Sequence, residues 1–250
     1  MVKPTILLVG GAWHTADYLI PFATALEAAD YPTIALALPS VDASPAKADF
    51  GDDVALVRST AKELAADGKH IVAVMHSFGG IVGTEALQGL GQACMERTGT
   101  VLGLVYIAAM LPKKGDSFEA YLDSMGDDSW KAKKEKLTVD GMMALPPDHA
   151  AGIFYNDLEL EESKHWAALT KPHSAAAFES PITHETYRDI PSTYILTSMD
   201  KAFRYEYQRQ TVQRAGLTVT KVMETGHSPF LSRPEEVKDI ITSFIERLQQ

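Results

Sequence analysis

The chain has 250 residues, 46% of them apolar and 22% charged, enough for one large domain with a sizeable core. Its net charge of −10 argues against nucleic acid or an anionic membrane as the main partner. The single cysteine, Cys94, excludes an internal disulfide and reads as a small, at least half-buried hydrophobe.

The opening Met-Val-Lys-Pro-Thr-Ile lacks a signal-peptide layout. No apolar run approaches the ~20 residues needed to cross a bilayer, so a cytoplasmic protein is expected. Ile6 to Val9 reads as a strand, and Tyr18 to Ala29 as a helix interrupted early by Pro21. Thr33 to Ala37 is the next strand, closed by Pro39, and a small-residue loop follows. Val54, Leu56, Val57, Ala61, Leu64 and Ala65 recur at helix spacing, and Gly68 ends that helix. A strand from Ile71, a helix from Ile81 to Leu90 and an apolar strand from Val101 to Ala108 come next. Tyr194 to Thr197 and Val219 to Val222 are later strands, and Val237 to Leu248 is a final helix. Near-continuous apolar strands alternating with helices predict an α/β fold with a mostly parallel, doubly wound sheet covered on both faces. The rhythm breaks between Lys113 and Ser192, where no strand pattern persists. This stretch, rich in Met, Lys, Glu and aromatics, is too long for a simple crossover. It reads as a helical insertion over the sheet, giving a core of residues 1–112 and 192–250 and a cap of residues 113–191.

Residues 71 to 80 read Ile-Val-Ala-Val-Met-His-Ser-Phe-Gly-Gly. The pattern is a strand, a very sharp turn and a helix, with Ser77 at the apex. Such a turn strains the serine and lifts its hydroxyl to where a base can reach it. It also aims amide N–H groups and a helix N-terminus at one point. Small neighbours are needed because strand and helix nearly touch. Gly79 supplies one, but Met75 stands where a small residue is usual two positions before the serine. Its flexible thioether is expected to find room.

A serine hydroxyl needs a base, and the base needs an orienting acid. Asp200 stands after the Tyr194 strand and His227 after the Val219 strand, in a loop holding Gly226 and Pro229. In a parallel sheet the C-terminal strand ends share one edge, so Ser77, Asp200 and His227 can converge. Taken alone, Asp200 is also a good cap for a following helix. Asp116 is a weaker candidate acid, and Glu224 is expected to point elsewhere. An oxyanion hole is expected from the N–H groups of Phe78, next to the serine, and Ala12, in the loop Gly10-Gly-Ala-Trp-His14. That loop lacks both dinucleotide-binding glycine spacing and a Walker lysine, so nucleotide binding is not expected.

These segments, with Val105-Tyr-Ile-Ala-Ala-Met-Leu-Pro112, make the chain resemble an α/β-hydrolase over nearly its whole length. Within that superfamily it is similar to the small capped group of plant methylesterases, hydroxynitrile lyases and microbial esterase-like proteins. Gly10 stands where that group often has a histidine. The resemblance implies a carboxylesterase-like reaction through an acyl-serine, with neither metal nor organic cofactor. Gly11, Trp13, His14, Met110, Phe154, Trp166 and His173 are expected to meet the substrate, although His14 and His173 equally suit packing under the cap. A lyase, cyclase or cofactor-free oxygenase is the nearest alternative. A hydroxynitrile lyase would carry a lysine where Ser228 stands. A non-catalytic receptor is a further alternative, disfavoured because serine and histidine are both present. The expected partner is a small molecule, and the chain is expected to be a monomer or homodimer.

Overall fold

The computed structural model describes residues 3–91, 99–127 and 129–250. Cys94, read above as a small hydrophobe, lies outside the described residues. In chain order the first half comprises β1 (Thr5–Val9), α1 (Ile20–Ala28), β2 (Thr33–Leu36), α2 (Gly51–Ala66), β3 (Ile71–His76), α3 (Gly79–Ala86) and β4 (Val101–Ile107). Then come α4 (Phe118–Ser124), α5 (Ser129–Leu137), β5 (Thr138–Val139), β6 (Met142–Met143), α6 (Pro147–Phe154), α7 (Leu160–Ala168) and β7 (His173–Ser174). The last elements are β8 (Ser192–Thr197), α8 (Tyr205–Ala215), β9 (Thr220–Met223), α9 (Pro229–Ser232) and α10 (Pro234–Leu248). Pro21 begins α1 rather than interrupting it, because a missing N–H costs nothing in a first helical turn.

Six strands form one sheet in the order β2-β1-β3-β4-β8-β9, and every pairing is parallel. Alternation along the strands explains the two layers of helix. Ile6, Leu8, Val72, Val74, Val105 and Ile107 pack with Phe22 and Leu26 of α1 and with Val237, Ile241 and Phe244 of α10. Leu7, Val9, Ala73, Met75, Leu104 and Tyr106 face the other way, toward α2 and α3. Strand order reverses between β1 and β3. The loops leaving these two neighbours therefore diverge and open a crevice at the C-terminal edge.

Everything from α4 to β7 lies between β4 and β8. The sequence predicts only helices here, but β5, β6 and β7 form a small antiparallel sheet. Strands of two residues are too short to leave a period-two pattern. Phe118, Trp130 and Phe178 of this stretch pack edge-on with centroids 4.6 and 5.0 Å apart, and Trp13 of the β1 loop joins them 5.3 Å from Phe178. No helix among the described residues is long and apolar enough to cross a membrane.

Candidate active site

Ser77 occupies the turn between β3 and α3 with φ of 56°, a conformation that a side chain adopts only when its surroundings enforce it. Its N–H donates to the Ile107 carbonyl at 3.1 Å, and its own carbonyl accepts from Gly80 N–H at 3.0 Å and Met110 N–H at 3.3 Å. Gly79 is required by close approach, since a Cβ there would lie 2.7 Å from the Val9 carbonyl oxygen. Met75 finds its space one turn further on. A Cβ on Gly83 would overlap the Met75 sulfur and stand 2.9 Å from its Cγ. A glycine within α3 thus replaces the missing small residue before the serine.

The β1 loop passes directly beneath. Gly11 abuts the elbow, where a Cβ would meet Ser77 Cβ at 3.0 Å. Three of the four amides from Gly10 to Trp13 are occupied. Gly10 N–H donates to the Leu36 carbonyl at 3.4 Å, Gly11 N–H to Tyr18 Oη at 2.7 Å, and Trp13 N–H to His173 Nδ1 at 3.5 Å. Ala12 N–H has no partner among the described residues, and neither has Phe78 N–H. Two buried amides beside one serine are therefore left for something else to accept.

Asp200 follows β8 and is held by five donors. Its Oδ1 accepts from the N–H groups of Ala202 and Phe203, both at 2.8 Å. Its Oδ2 accepts from Thr197 Oγ1 at 3.0 Å, Gln208 Nε2 at 2.9 Å and His227 Nδ1 at 2.8 Å. One oxygen caps the turn before α8 and the other takes the histidine, so the two uses foreseen for an isolated acid coexist. Asp116 and Glu224 make no hydrogen bond to His227 among the described residues. Because a carboxylate accepts at Nδ1, His227 carries its proton there and presents Nε2 as the basic nitrogen. Gln208 and Thr197, both buried, were missed by the sequence reading. The helical spacing of buried Gln208, Thr211 and Ala215 along α8 is the signal that marks Gln208 as inward-facing.

Ser77 and His227 open onto a common cavity of about 190 Å³. Ser77 Oγ makes no hydrogen bond among the described residues, and contacts of this kind often tighten only around a substrate. Trp13, Met110 and Phe154 are on the cavity wall, with Phe118, Trp130 and Ile153. Among the described residues, the Asp, Glu, Lys and Arg side chains on its wall are Asp127, Lys133 and Lys201.

A model of the alpha/beta hydrolase family matches residues 6–240. The chain belongs to that family. This hydrolase is 31% identical over 252 residues to a probable hydrolase, R7, of a Phoma species, covering 96% of this chain and 98% of that one. It is 28% identical over 243 residues to the alpha/beta hydrolase nvfD of Aspergillus novofumigatus, covering 96% of each. Polyneuridine aldehyde esterase of Rauvolfia serpentina is 26% identical over 230 residues, 85% of this chain and 84% of that one. A crystal structure of a polyneuridine aldehyde esterase superposes with a TM-score of 0.75 at 21% identity, covering 96% and 98% of the two chains.

Four residues expected to meet substrate are off the cavity wall: Gly11, which abuts Ser77 with its N–H on Tyr18, and Trp166, His173 and His14. Trp166 is not on the cavity wall; it packs between the two apolar clusters. His173 is fully buried, with Nδ1 on Trp13 N–H and Nε2 donating to Ser40 Oγ at 3.3 Å. His14 is buried with both nitrogens engaged, Nδ1 donating to the Ala12 carbonyl and Nε2 accepting from Tyr155 Oη, each at 2.6 Å. Burial pushes both imidazoles down to about 3, so they stay neutral. His76 is also buried and held well below its ordinary range by desolvation. It accepts from Tyr18 Oη at 3.1 Å on Nδ1 and donates from Nε2 to the His227 carbonyl at 2.9 Å. A buried line thus runs from Gly11 N–H through Tyr18 and His76 to the backbone of His227. Among the described residues no three His, Cys, Asp or Glu side chains gather as a metal site.

Proposed function

We propose that this hydrolase cleaves a small carboxylic ester through an acyl-serine, with Ser77, His227 and Asp200 as its catalytic triad. His227 Nε2 takes the Ser77 proton as Oγ attacks the ester carbonyl. Asp200 keeps the other proton on Nδ1 and stabilises the imidazolium. The N–H groups of Ala12 and Phe78 hold the oxyanion. His227 returns its proton to the leaving alcohol. Water then repeats the sequence and releases the acid. Residues 113–191 act as the cap, and residues 1–112 and 192–250 as the catalytic core.

One observation carries this reading. A serine strained at φ 56° stands beside two unoccupied amides and shares its cavity with a histidine bonded to a carboxylate. The name of the Rauvolfia relative supports ester chemistry. The small, mostly apolar cavity favours compact acyl and alcohol groups.

A fluorophosphonate probe and p-nitrophenyl acetate test the proposal. The native protein should be labelled once and should hydrolyse the ester, and Ser77→Ala should do neither. Failure to label the native protein, or equal labelling of Ser77→Ala, would overturn it. Turnover that survives Ser77→Ala but disappears in His227→Ala would point to a lyase, cyclase or oxygenase instead.

A further inference from the structure

The Ala12 amide is useful only if the loop around it is held still, and that loop has the backbone strain to move. Trp13 has φ of 64°, which its surroundings must maintain. The loop is tethered by Tyr18 on Gly11 N–H, His14 on the Ala12 carbonyl and His173 on Trp13 N–H. Trp13 is held further by Lys171 N–H on its carbonyl and by its own Nε1–H on the Met143 carbonyl, each at 2.9 Å. Tyr18 belongs to the core. His173 lies on β7, inside residues 113–191, and His14 is fixed in turn by Tyr155 of the same stretch.

The His14–Tyr155 pair has one consistent protonation pattern. The Ala12 carbonyl can only accept, so His14 Nδ1 carries the proton, and Nε2 must accept from the Tyr155 hydroxyl. Burial raises the Tyr155 phenol well above its ordinary range, which keeps it a donor. The His14 ring is clamped mechanically as well, stacked on Tyr18 at 4.3 Å and edge-on to Phe154 at 5.0 Å. Phe154, which walls the cavity, is the immediate chain neighbour of Tyr155. A residue on the cavity wall and a residue that holds the Ala12 loop through His14 are thus consecutive at the end of α6.

We propose that Tyr155 and His14 are positioning residues through which the seated 113–191 segment sets the Ala12 N–H for the oxyanion. The inference rests on the serine-hydrolase reading above. It makes transition-state binding, and not substrate binding, depend on a contact outside the cavity. Displacing α6 would slacken the Ala12 carbonyl and turn the adjacent peptide out of line.

The test compares Tyr155→Phe, His14→Leu and His14→Asn, whose amide can still donate to the Ala12 carbonyl. Each variant is assayed for kcat, KM, the rate of fluorophosphonate labelling and the affinity of an alkyl boronic acid that forms a tetrahedral adduct. Losing an oxyanion donor outright costs roughly 100- to 1,000-fold. Loosening one should cost Tyr155→Phe about 10-fold in kcat and a similar factor in boronate affinity, with KM within about two-fold. His14→Leu should lose more, and His14→Asn should recover most of that loss. Unchanged labelling and boronate affinity in folded Tyr155→Phe and His14→Leu would overturn the proposal, as would a loss confined to KM. If Tyr155→Phe does not fold, the contrast between His14→Asn and His14→Leu decides. A native protein that neither labels nor binds boronate would instead refute the serine-hydrolase reading itself, and this inference with it.

Discussion

Asp53 gives a quantitative handle on the buried link from α2 through Ser40 to His173 of β7. It is fully buried and accepts from Ser40 N–H at 2.8 Å and Ser40 Oγ at 2.7 Å; Ser40 Oγ in turn accepts from His173. Burial raises its carboxyl from 3.8 to about 6, outweighing the two hydrogen bonds that pull it down. A folded-state value above the unfolded one means that the protonated acid favours folding. That contribution is complete below the unfolded value and is lost as pH climbs through about 6. A shift of roughly two units corresponds to about 3 kcal/mol. Asp53→Asn removes the titration. It also turns a donor toward Ser40 Oγ, whose proton then loses its acceptor, at a cost of about 1 kcal/mol. The variant should therefore be about 0.5 kcal/mol less stable than the native protein near pH 4, and about 2 kcal/mol more stable near pH 8. Urea unfolding from about pH 4 to 8 measures both curves. Parallel curves would refute the reasoning, because they would show that Asp53 is not desolvated in the folded protein.

Other predictions concern the elbow and the acid–base pair. Gly83→Ala should cost about 1–3 kcal/mol by overpacking against Met75. Adding Met75→Ala should restore more than about 1 kcal/mol, a coupling that a double-mutant cycle in urea measures. Gln208→Leu withdraws a donor from Asp200 and leaves Thr197 N–H unpaired. It should lower kcat by roughly 10-fold with little change in KM, and an equal loss in Asp200→Asn alone and combined with Gln208→Leu would confirm that both act through one carboxylate. Gly226→Ala would push a methyl to 2.8 Å from Asn156 Oδ1 and against the Asp157 carboxylate. Ester turnover should fall as the His227 loop shifts, and Asp157→Ala in the same chain should recover part of it.

The framework of this molecule was legible because its signals are local. Ile71 to Val74 is a fully buried strand and reads as one, and Ser77-Phe-Gly-Gly writes the turn and the helix start into four residues. Parallel topology then predicts that residues after β8 and β9 meet the serine at one edge. The histidines were harder. His14 and His173 sit beside a glycine loop and in an aromatic stretch, which suits a ligand contact and a buried tether equally. What separates the two is the partner of each nitrogen, supplied by Tyr155 from 141 positions away and by Ser40 from 133. No spacing rule reaches that far. Gly83 illustrates a different limit. Its meaning depends on a methionine eight positions earlier, across a sharp turn, so the space it leaves for the sulfur is evident only once β3 and α3 are placed together.

Besides His227, three buried histidines lie near the serine and its neighbouring loop, yet the proposed chemistry needs one proton to arrive and leave. The structure resolves this by commitment. His14, His76 and His173 each have both nitrogens engaged in buried hydrogen bonds, and desolvation keeps all three neutral. A charge on His227 lowers His14 and His76 further, with the His76 ring only 4.6 Å away. In the proposed chemistry a proton taken from Ser77 would therefore rest on the imidazole bonded to Asp200 and would not drain into the tethers. Replacing His76 by glutamine, which keeps an amide to donate to the His227 carbonyl, should accordingly leave the pH–rate profile with a single ascending limb. A second limb present in the native profile and lost in that variant would mean that His76 itself exchanges the proton, and the division between His227 and the buried structural histidines would be wrong.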